Sequence, residues 1–353
     1  MAGGLLLAFS TLARAQTITW DSLNREVLAL TLKKDFSAAL PKAREALKLA
    51  EGKYGKNHLR TAQSLNNLGF VQLNLNQIPQ SESLLTRAVR IYGNNPGADR
   101  ADYVQALNSL AHIKLGKNET AHAETLYTRA LALCQRPPIA DSQQLAQTLN
   151  NLAGVFMRLE NFAAAESLCR HSLLIRERTV GPLNPATRQT ADNLIYLYAR
   201  QEKYPQAESL TRKILNIVGR FKNLNPLETA NYQNSLGTFC HLQGKFAQAE
   251  SFFQSALALR EKALGPDHPN VAKTLDNLAE ARKSRKEYQG LDTLYERIVK
   301  ILEKNSGTES HVVADKMDAV AQFYESIGQP QAAKKWALRA ERARSKAKPD
   351  GNQ

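Results

Sequence analysis

The sequence reads as an all-α protein, a right-handed α-solenoid of about eight antiparallel helix pairs. Three observations predict this: a repeat in constant register, a helical spacing of apolar residues inside each repeat, and glycine and proline where the helices should end and begin. The repeat is seen first at Leu65-Asn66-Asn67-Leu68-Gly69. It returns 42 residues later as Leu107-Asn108-Ser109-Leu110-Ala111, and again as Leu149-Asn150-Asn151-Leu152-Ala153. Ala191-Asp192-Asn193-Leu194, Gln233-Asn234-Ser235-Leu236-Gly237, Leu275-Asp276-Asn277-Leu278-Ala279 and Met317-Asp318-Ala319-Val320-Ala321 continue it, and Leu23-Asn24 stands one period upstream. Self-similarity at a fixed period of this length is the signature of stacked supersecondary units and not of several unrelated domains. The units therefore start near residues 23, 65, 107, 149, 191, 233, 275 and 317, inside a solenoid expected over residues 16–345.

Each unit contains two helices. In the fourth, Leu149, Leu152, Ala153 and Phe156 fall at i, i+3, i+4 and i+7, one stripe of a helix over Gln147 to Arg158. A break at Glu160-Asn161 precedes a second helix from about Phe162 to Arg178, with Ala165, Leu168, Ser172, Leu173 and Ile175 inward. Gly181-Pro182 closes it and Pro185 opens the next pair. The stretch LGPDHP, Leu264 to Pro269, has the same office: Gly265 ends a second helix, Pro269 starts a first one, and His268 is a loop residue, not a metal ligand.

Small residues set how closely the helices approach. The first helices carry Gly69, Ala111, Ala153, Gly237, Ala279 and Ala321 after their leucine, and the second helices carry Ala39, Ser81, Ala123, Ala165, Ala207, Ala249 and Ala333. Large residues at the intervening turns, Phe36, Ile78, Phe162, Tyr204, Phe246 and Tyr288, fill the adjoining gaps. A helix pair of this size cannot bury its apolar face alone, so each unit depends on its neighbours.

The leucine–small pair, the early alanine of the second helix, and Phe253 followed by Ala256 resemble the tetratricopeptide repeat. The usual unit of that family is about 34 residues. The longer unit here, with the stretch from Ala256 to Glu280, resembles the variety found in kinesin light chains. The resemblance covers roughly residues 20–345. It implies a superhelix whose first helices line a concave groove, and a function in protein or peptide binding.

Composition agrees with a folded, globular chain: 43% of residues are hydrophobic and 23% charged, so disorder of the body is excluded. Residues 1–15 differ. An apolar run from Leu5 to Leu12 followed by Ala13-Arg14-Ala15 has the form of a secretory signal peptide, with Gln16 as the first mature residue. No lysine or arginine precedes that run. The reading is export to a bacterial periplasm; retention of residues 1–15 would instead leave the chain cytoplasmic. No transmembrane segment is expected in the mature chain, because no run of about 18 apolar residues occurs. Residues 346–353 read as a basic, disordered tail, and seven Lys/Arg against two acids fall in residues 334–353. A net charge of +14 attracts anions of many kinds, but an exported chain does not meet nucleic acid, so no nucleic-acid partner is expected. Cys134, Cys169 and Cys240 fall inside helical patterns and read as small buried thiols.

No phosphate-binding loop, H-E-x-x-H, G-x-S-x-G or C-x-x-C motif is present, and the seven histidines show no metal-ligand spacing. The sequence therefore predicts no enzyme, no cofactor and no metal. One polar column stands out: Asn24, Asn66, Asn108, Asn150, Asp192, Asn234, Asp276 and Asp318 share one place on the first helices. Asn and Asp are poor interior helix formers, so repeated use implies a physical task. By the family resemblance the column lies on the groove floor, where its side chains either hold the backbone of an extended peptide or bond to the next first helix and staple the units. A neighbouring column, Gln63, Gln105, Gln147, Gln189 and Asn231, extends the floor. Specificity would come from residues one or two turns further on, among them Phe70, His112, Tyr196, Thr238, Leu73, Leu115, Met157, Arg158 and Arg200. The expected function is a scaffold that captures a partner segment; the alternatives are a structural subunit of an envelope complex, or a non-catalytic regulatory partner of an enzyme. The partner's identity and the oligomeric state are not legible.

Overall fold

Every second helix is preceded by a residue that a right-handed helix cannot accommodate. Lys34, Asn76, Asn118, Glu160, Glu202, Gly244, Lys286 and Gly328 all have positive φ, between 56° and 76°, and are spaced by 42 residues. The next residue donates its backbone N–H to a carbonyl five residues back in each case, from Asp35 to Leu30 through Gln329 to Tyr324. This is the closure of a Schellman motif, which satisfies a carbonyl that the ending helix leaves orphaned and reverses the chain. The sequence period is thus a period of backbone conformation.

In this computed structural model the described residues are 19–136, 142–219, 225–308 and 310–346. Residues 1–15, read as a signal peptide, and residues 347–353 of the tail lie outside them. Among the described residues are sixteen α-helices and no strand. In chain order they are α1 (Trp20–Leu32), α2 (Phe36–Tyr54), α3 (Leu59–Asn74), α4 (Ile78–Gly93), α5 (Arg100–Gly116), α6 (Thr120–Cys134), α7 (Ser142–Arg158), α8 (Phe162–Thr179), α9 (Pro185–Arg200), α10 (Tyr204–Gly219), α11 (Pro226–Leu242), α12 (Phe246–Leu264), α13 (Pro269–Ser284), α14 (Leu291–Ser306), α15 (His311–Ser326) and α16 (Pro330–Lys346). Odd-numbered helices are the first of each pair. Two compact units divide the chain, residues 1–175 and 176–353, the division falling inside α8.

Within each unit a second helix packs against its own first helix and against the first helix of the next pair. The first unit buries Leu65, Leu85, Leu107 and Leu149 on this plan; the second buries Leu236, Phe253, Leu275 and Leu291. Small residues do what their size predicted. Ala39, Ala123, Ala165, Ala207 and Ala249 are fully buried. Ser81 Oγ donates to the Gly69 carbonyl at 2.7 Å, across the contact between α3 and α4. A methyl on Gly69 would meet Leu85 Cγ at 2.8 Å, and one on Gly237 would meet the Phe253 ring at 2.5 Å. Trp20 and Trp336 are both buried, and each indole N–H is satisfied, by Ser64 Oγ at 2.7 Å and by Asp292 Oδ1 at 3.1 Å. All three cysteines are buried thiols, as their helical positions implied.

The loop read as LGPDHP behaves as expected. Gly265 ends α12 at φ 85°, and α13 begins at Pro269. His268 is the N-cap of α13: its Nδ1 accepts from the Asn270 N–H at 3.1 Å. His58 caps α3 in the same way, and Asn184 and Asn225 do so for α9 and α11 with their side-chain oxygens.

The first turn of α5 holds an unfavourably placed carboxyl, Asp102. Asp99 caps α5 through the N–H groups of Ala101 and Asp102. Burial, and then the Asp99 carboxylate, push the Asp102 carboxyl up to about 6. A carboxyl whose folded value lies above its unfolded one binds its proton more tightly when folded, so it lowers stability as pH rises from about 4 to about 6. Asp102→Asn should therefore raise the melting temperature at pH 7.5 by a few degrees, equivalent to about 1–2 kcal/mol, and change it little at pH 4. Thermal unfolding of the two proteins at both pH values checks this.

Candidate functional site

The polar column sits on the first helices; it is mostly buried in the first unit, while in the second Asn234, Asp276 and Asp318 are half-buried and Asp192 is exposed. In the first unit α1, α3, α5 and α7 adjoin in succession. Asn24, Asn66 and Asn150 are buried and Asn108 is half-buried. The bonds run from one first helix to the next. Asn67 Nδ2 donates to Asn24 Oδ1 at 2.6 Å, Asn66 Nδ2 to Gln105 Oε1 at 3.3 Å, and Asn108 Nδ2 to Thr148 Oγ1 at 2.9 Å. In the second unit Tyr232 OH donates to Asp192 Oδ1 at 3.1 Å and Asn277 Nδ2 to Asn234 Oδ1 at 3.0 Å, while Lys316 pairs with Asp276. Arg344 of α16 takes Asp318 at 2.5 Å and Asp315 at 3.1 Å. The column thus joins consecutive first helices within each unit, through partners 39, 40 or 43 residues further along, or at the last pair through α16.

Spare capacity remains. Asn66 Oδ1 and Asn108 Oδ1 are buried and have no hydrogen-bond partner. A backbone N–H from a bound segment reaches such an oxygen only if the amide swings outward, so the column is an inner layer and not a bare floor. Gln147 is exposed, and its amide donates to Asn151 Oδ1 at 2.8 Å along α7.

The accessible layer lies one or two turns further along the first helices. In the first unit Leu28 is 44% and Leu32 86% exposed, His112 is exposed and Phe70 is half-buried, its ring edge-on to Phe36 at 6.2 Å. Leu73 and Leu115 are partly buried against the core, which makes them walls more than contacts. Gly154 on α7 faces open space, with no atom within 4 Å of where a Cβ would stand. Arg158 is exposed but tethered: its guanidinium donates to the Leu115 carbonyl and to Asn118 Oδ1 at 3.2 Å. In the second unit Tyr196 is 45% exposed with the Arg200 guanidinium 6.0 Å from its ring centre, and Leu242 is exposed on α11. Arg158 belongs to the first unit and Arg200 to the second.

A second column escaped the sequence reading. Glu82, Glu124, Glu166, Glu208 and Glu250 follow the small residue of five consecutive second helices, α4 to α12, at intervals of 42. Glu82 pairs with Lys114 at 2.7 Å and Lys117 at 3.0 Å, and Glu250 with Arg282 at 2.8 Å and Arg285 at 2.6 Å. Glu208 holds Arg212 at 2.7 Å, Lys245 at 2.9 Å and the Gln243 amide at 2.8 Å. Apart from Glu208–Arg212, which lies within α10, these ion pairs clasp a second helix to the end of the next first helix. The signal was the Ala-Glu pair at fixed spacing, which a glutamate's high helix propensity disguises as ordinary surface. Arg176 and Arg260 form another buried link: Arg260 donates to Thr274 Oγ1 at 2.6 Å and Asn231 Oδ1 at 2.9 Å, Arg176 to Thr190 Oγ1 at 2.8 Å. Asn231, counted with the floor, is thereby committed to structure.

Among the described residues no group of three or more His, Cys, Asp and Glu is arranged to hold a metal ion, and no helix is long and apolar enough to cross a membrane.

A tetratricopeptide repeat family model matches residues 22–94, 144–218 and 228–290, more than half of the chain. No curated protein matches it. Among solved structures it is similar to a signal transduction ATPase with numerous domains (STAND) protein with a tetratricopeptide repeat sensor, from Pyrococcus horikoshii. That similarity has a TM-score of 0.61 and 13% identity, over 81% of this chain and 43% of that one. It is also similar to BtubC from P. vanneervenii, at TM-score 0.52 and 20% identity over 68% of this chain and 92% of that one. The nearly identical repeats of a putative kinesin light chain from Podosopora anserina align at TM-score 0.51 and 18% identity, over 59% of this chain and 98% of that one. At such identities the likeness is one of fold.

Proposed function

The chain belongs to the tetratricopeptide repeat family, and from that premise we propose that it is a non-catalytic scaffold that captures a protein or peptide segment on the exposed turns of its first helices. The observation that carries this reading is the layering of the first helices. The Asn/Asp column links first helices to their neighbours, and one turn away from Asn24, Asn108 and Asp192 the side chains of Leu28, His112 and Tyr196 stand exposed. A preformed surface of this kind binds without paying to order itself. Hydrogen bonds worth about 0.5–1.5 kcal/mol each, together with a few apolar contacts, suit micromolar affinity, about 8 kcal/mol.

Capture and stapling can be separated at one rung. Thr148→Val breaks the bond between the helices but leaves the Asn108 amide in place; Asn108→Ala removes the amide itself and with it the bond. Peptides selected from a random displayed library against the wild-type protein should bind Asn108→Ala about tenfold more weakly and Thr148→Val within about threefold of wild type. Equal affinity for all three proteins would leave the column a staple only, and a selection that yields no binder would remove peptide capture itself. We further propose that residues 1–15 direct export, so that the partner is an envelope protein. A mature N-terminus at Gln16 supports this, and a retained Met1 contradicts it.

A further inference from the structure

The outer face of α16 carries smaller residues than that of α14, the second helix before it. On α14 the positions one period earlier are Leu291 and Tyr295, both buried. On α16 they are Ala333 and Ala337. The exchange leaves a hollow of about 340 Å³, floored by Ala321, Ala333 and Ala337 and walled by Gln322, Glu325 and Lys334. In the preceding pair the corresponding cleft is filled: Phe323 of α15 sets its ring 5.7 Å from Tyr288 and 6.0 Å from Tyr295, and Lys316 of α15 pairs with Asp276. The hollow therefore continues the repeat-to-repeat interface and is shaped to receive one helix.

Beside it α16 presents Lys334, Ala337, Leu338 and Glu341 to solvent, at i, i+3, i+4 and i+7, one face of the helix. Leu338 is 44% exposed, although Trp336, Ala340 and Ala343 on the opposite face are buried. Lys334 and Glu341 have no ion-pair partner among the described residues, whereas Lys335 and Arg339 pair with Glu296 at 3.0 and 2.7 Å. This stripe is complementary to itself. If two copies of α16 cross antiparallel about a two-fold axis between Ala337 and Leu338, Lys334 of one falls opposite Glu341 of the other. Each Leu338 then stands over the partner's Ala337, at the mouth of the hollow. Alanine at the crossing lets the two axes approach closely. An interface that meets itself in this way closes on two subunits and does not propagate.

We propose that the α16 face is a self-association surface, and that its occupant is α16 of a second copy of this chain, with Leu338 seated in the partner's hollow and Lys334 paired to the partner's Glu341. Sedimentation velocity on the full chain, over a range of concentrations, tests it. The wild-type protein should pass from the mass of one chain to that of two. Leu338→Asp should remain monomeric across the same range. Lys334→Glu and Glu341→Lys should each weaken association about tenfold, and the double reversal Lys334→Glu/Glu341→Lys should restore it to within about threefold, because it rebuilds both pairs with opposite sign. All four variants change exposed residues only, and circular dichroism checks that each one folds. A wild-type protein that stays monomeric at every concentration overturns the proposal. So does a dimer indifferent to Leu338→Asp, or a double reversal that associates no better than the single changes; a different protein bound at this face would leave the chain monomeric and count against it equally.

Discussion

Phe253→Ala should destabilise the second unit by about 3–5 kcal/mol, and Gly237→Ala by about 2 kcal/mol, yet the double variant should lose less than the sum. Phe253 of α12 is 2% exposed, and its ring lies directly on the backbone of Gly237 in α11. Truncation opens a cavity the size of the ring. A methyl on Gly237 instead forces that ring out of its seat, since 2.5 Å from a Cβ to an aromatic carbon is far inside contact distance. Once the ring is gone the same methyl partly fills the void, which is why the two effects should couple. Urea unfolding of the four proteins measures it, and strict additivity would mean that Gly237 does not owe its smallness to Phe253.

The clasp at Glu208 should contribute on a similar scale, and only over part of the pH range. Burial by itself would raise this carboxyl, but hydrogen bonds from Lys245, Arg212 and Gln243 outweigh it and bring it down to about 2. Its ordinary value is 4.5, so the folded state favours the ionised form. The resulting stability is fully present above about pH 4.5 and is lost as pH falls toward 2. Two to three kcal/mol is a reasonable scale, on the order of 1.4 kcal/mol per unit of displacement with some loss because the lysine and arginine reach into solvent. Glu208→Gln should therefore be less stable than wild type by about 2–3 kcal/mol at pH 7, with the gap closing near pH 2.5. A gap that stays constant with pH would assign the loss to packing and not to charge.

Much of the architecture was legible because a period of 42 residues is visible in residue type alone. Leu149, Gly237 and Ala249 each announce a buried position by identity, and Gly265 with Pro269 marks a boundary that the structure reproduces to the residue. The turn residues were less legible. Lys34, Glu160 and Glu202 occupy the left-handed region, where glycine or asparagine would be expected, and nothing in their side chains signals it. There the two helices packing against each other decide the backbone, and the local preference is overridden.

The candidate site was legible in position but not in depth. Spacing placed Asn66, Asn108 and Asn234 on one face of the first helices, and they share it. Spacing could not tell that Gln105, Thr148 and Asn277 would stand within hydrogen-bond distance, because the offset between neighbouring first helices is a property of packing. Tyr196 and His112, chosen only as residues a turn further on, are the ones that meet solvent. The glutamate column shows the opposite failure: its spacing was as regular as that of the asparagines, but a charged helix former looks like surface until its partners from the next pair are in view.

Photo-crosslinking tests the proposed capture surface directly. A benzophenone side chain placed at Leu28, His112, Tyr196 or Leu242, all exposed on first helices, should yield a covalent adduct with the partner segment. The same group at Lys48 or Ser255, exposed on second helices, should yield none. Adducts formed from the second-helix positions while the first-helix positions remain silent would contradict capture by the first helices.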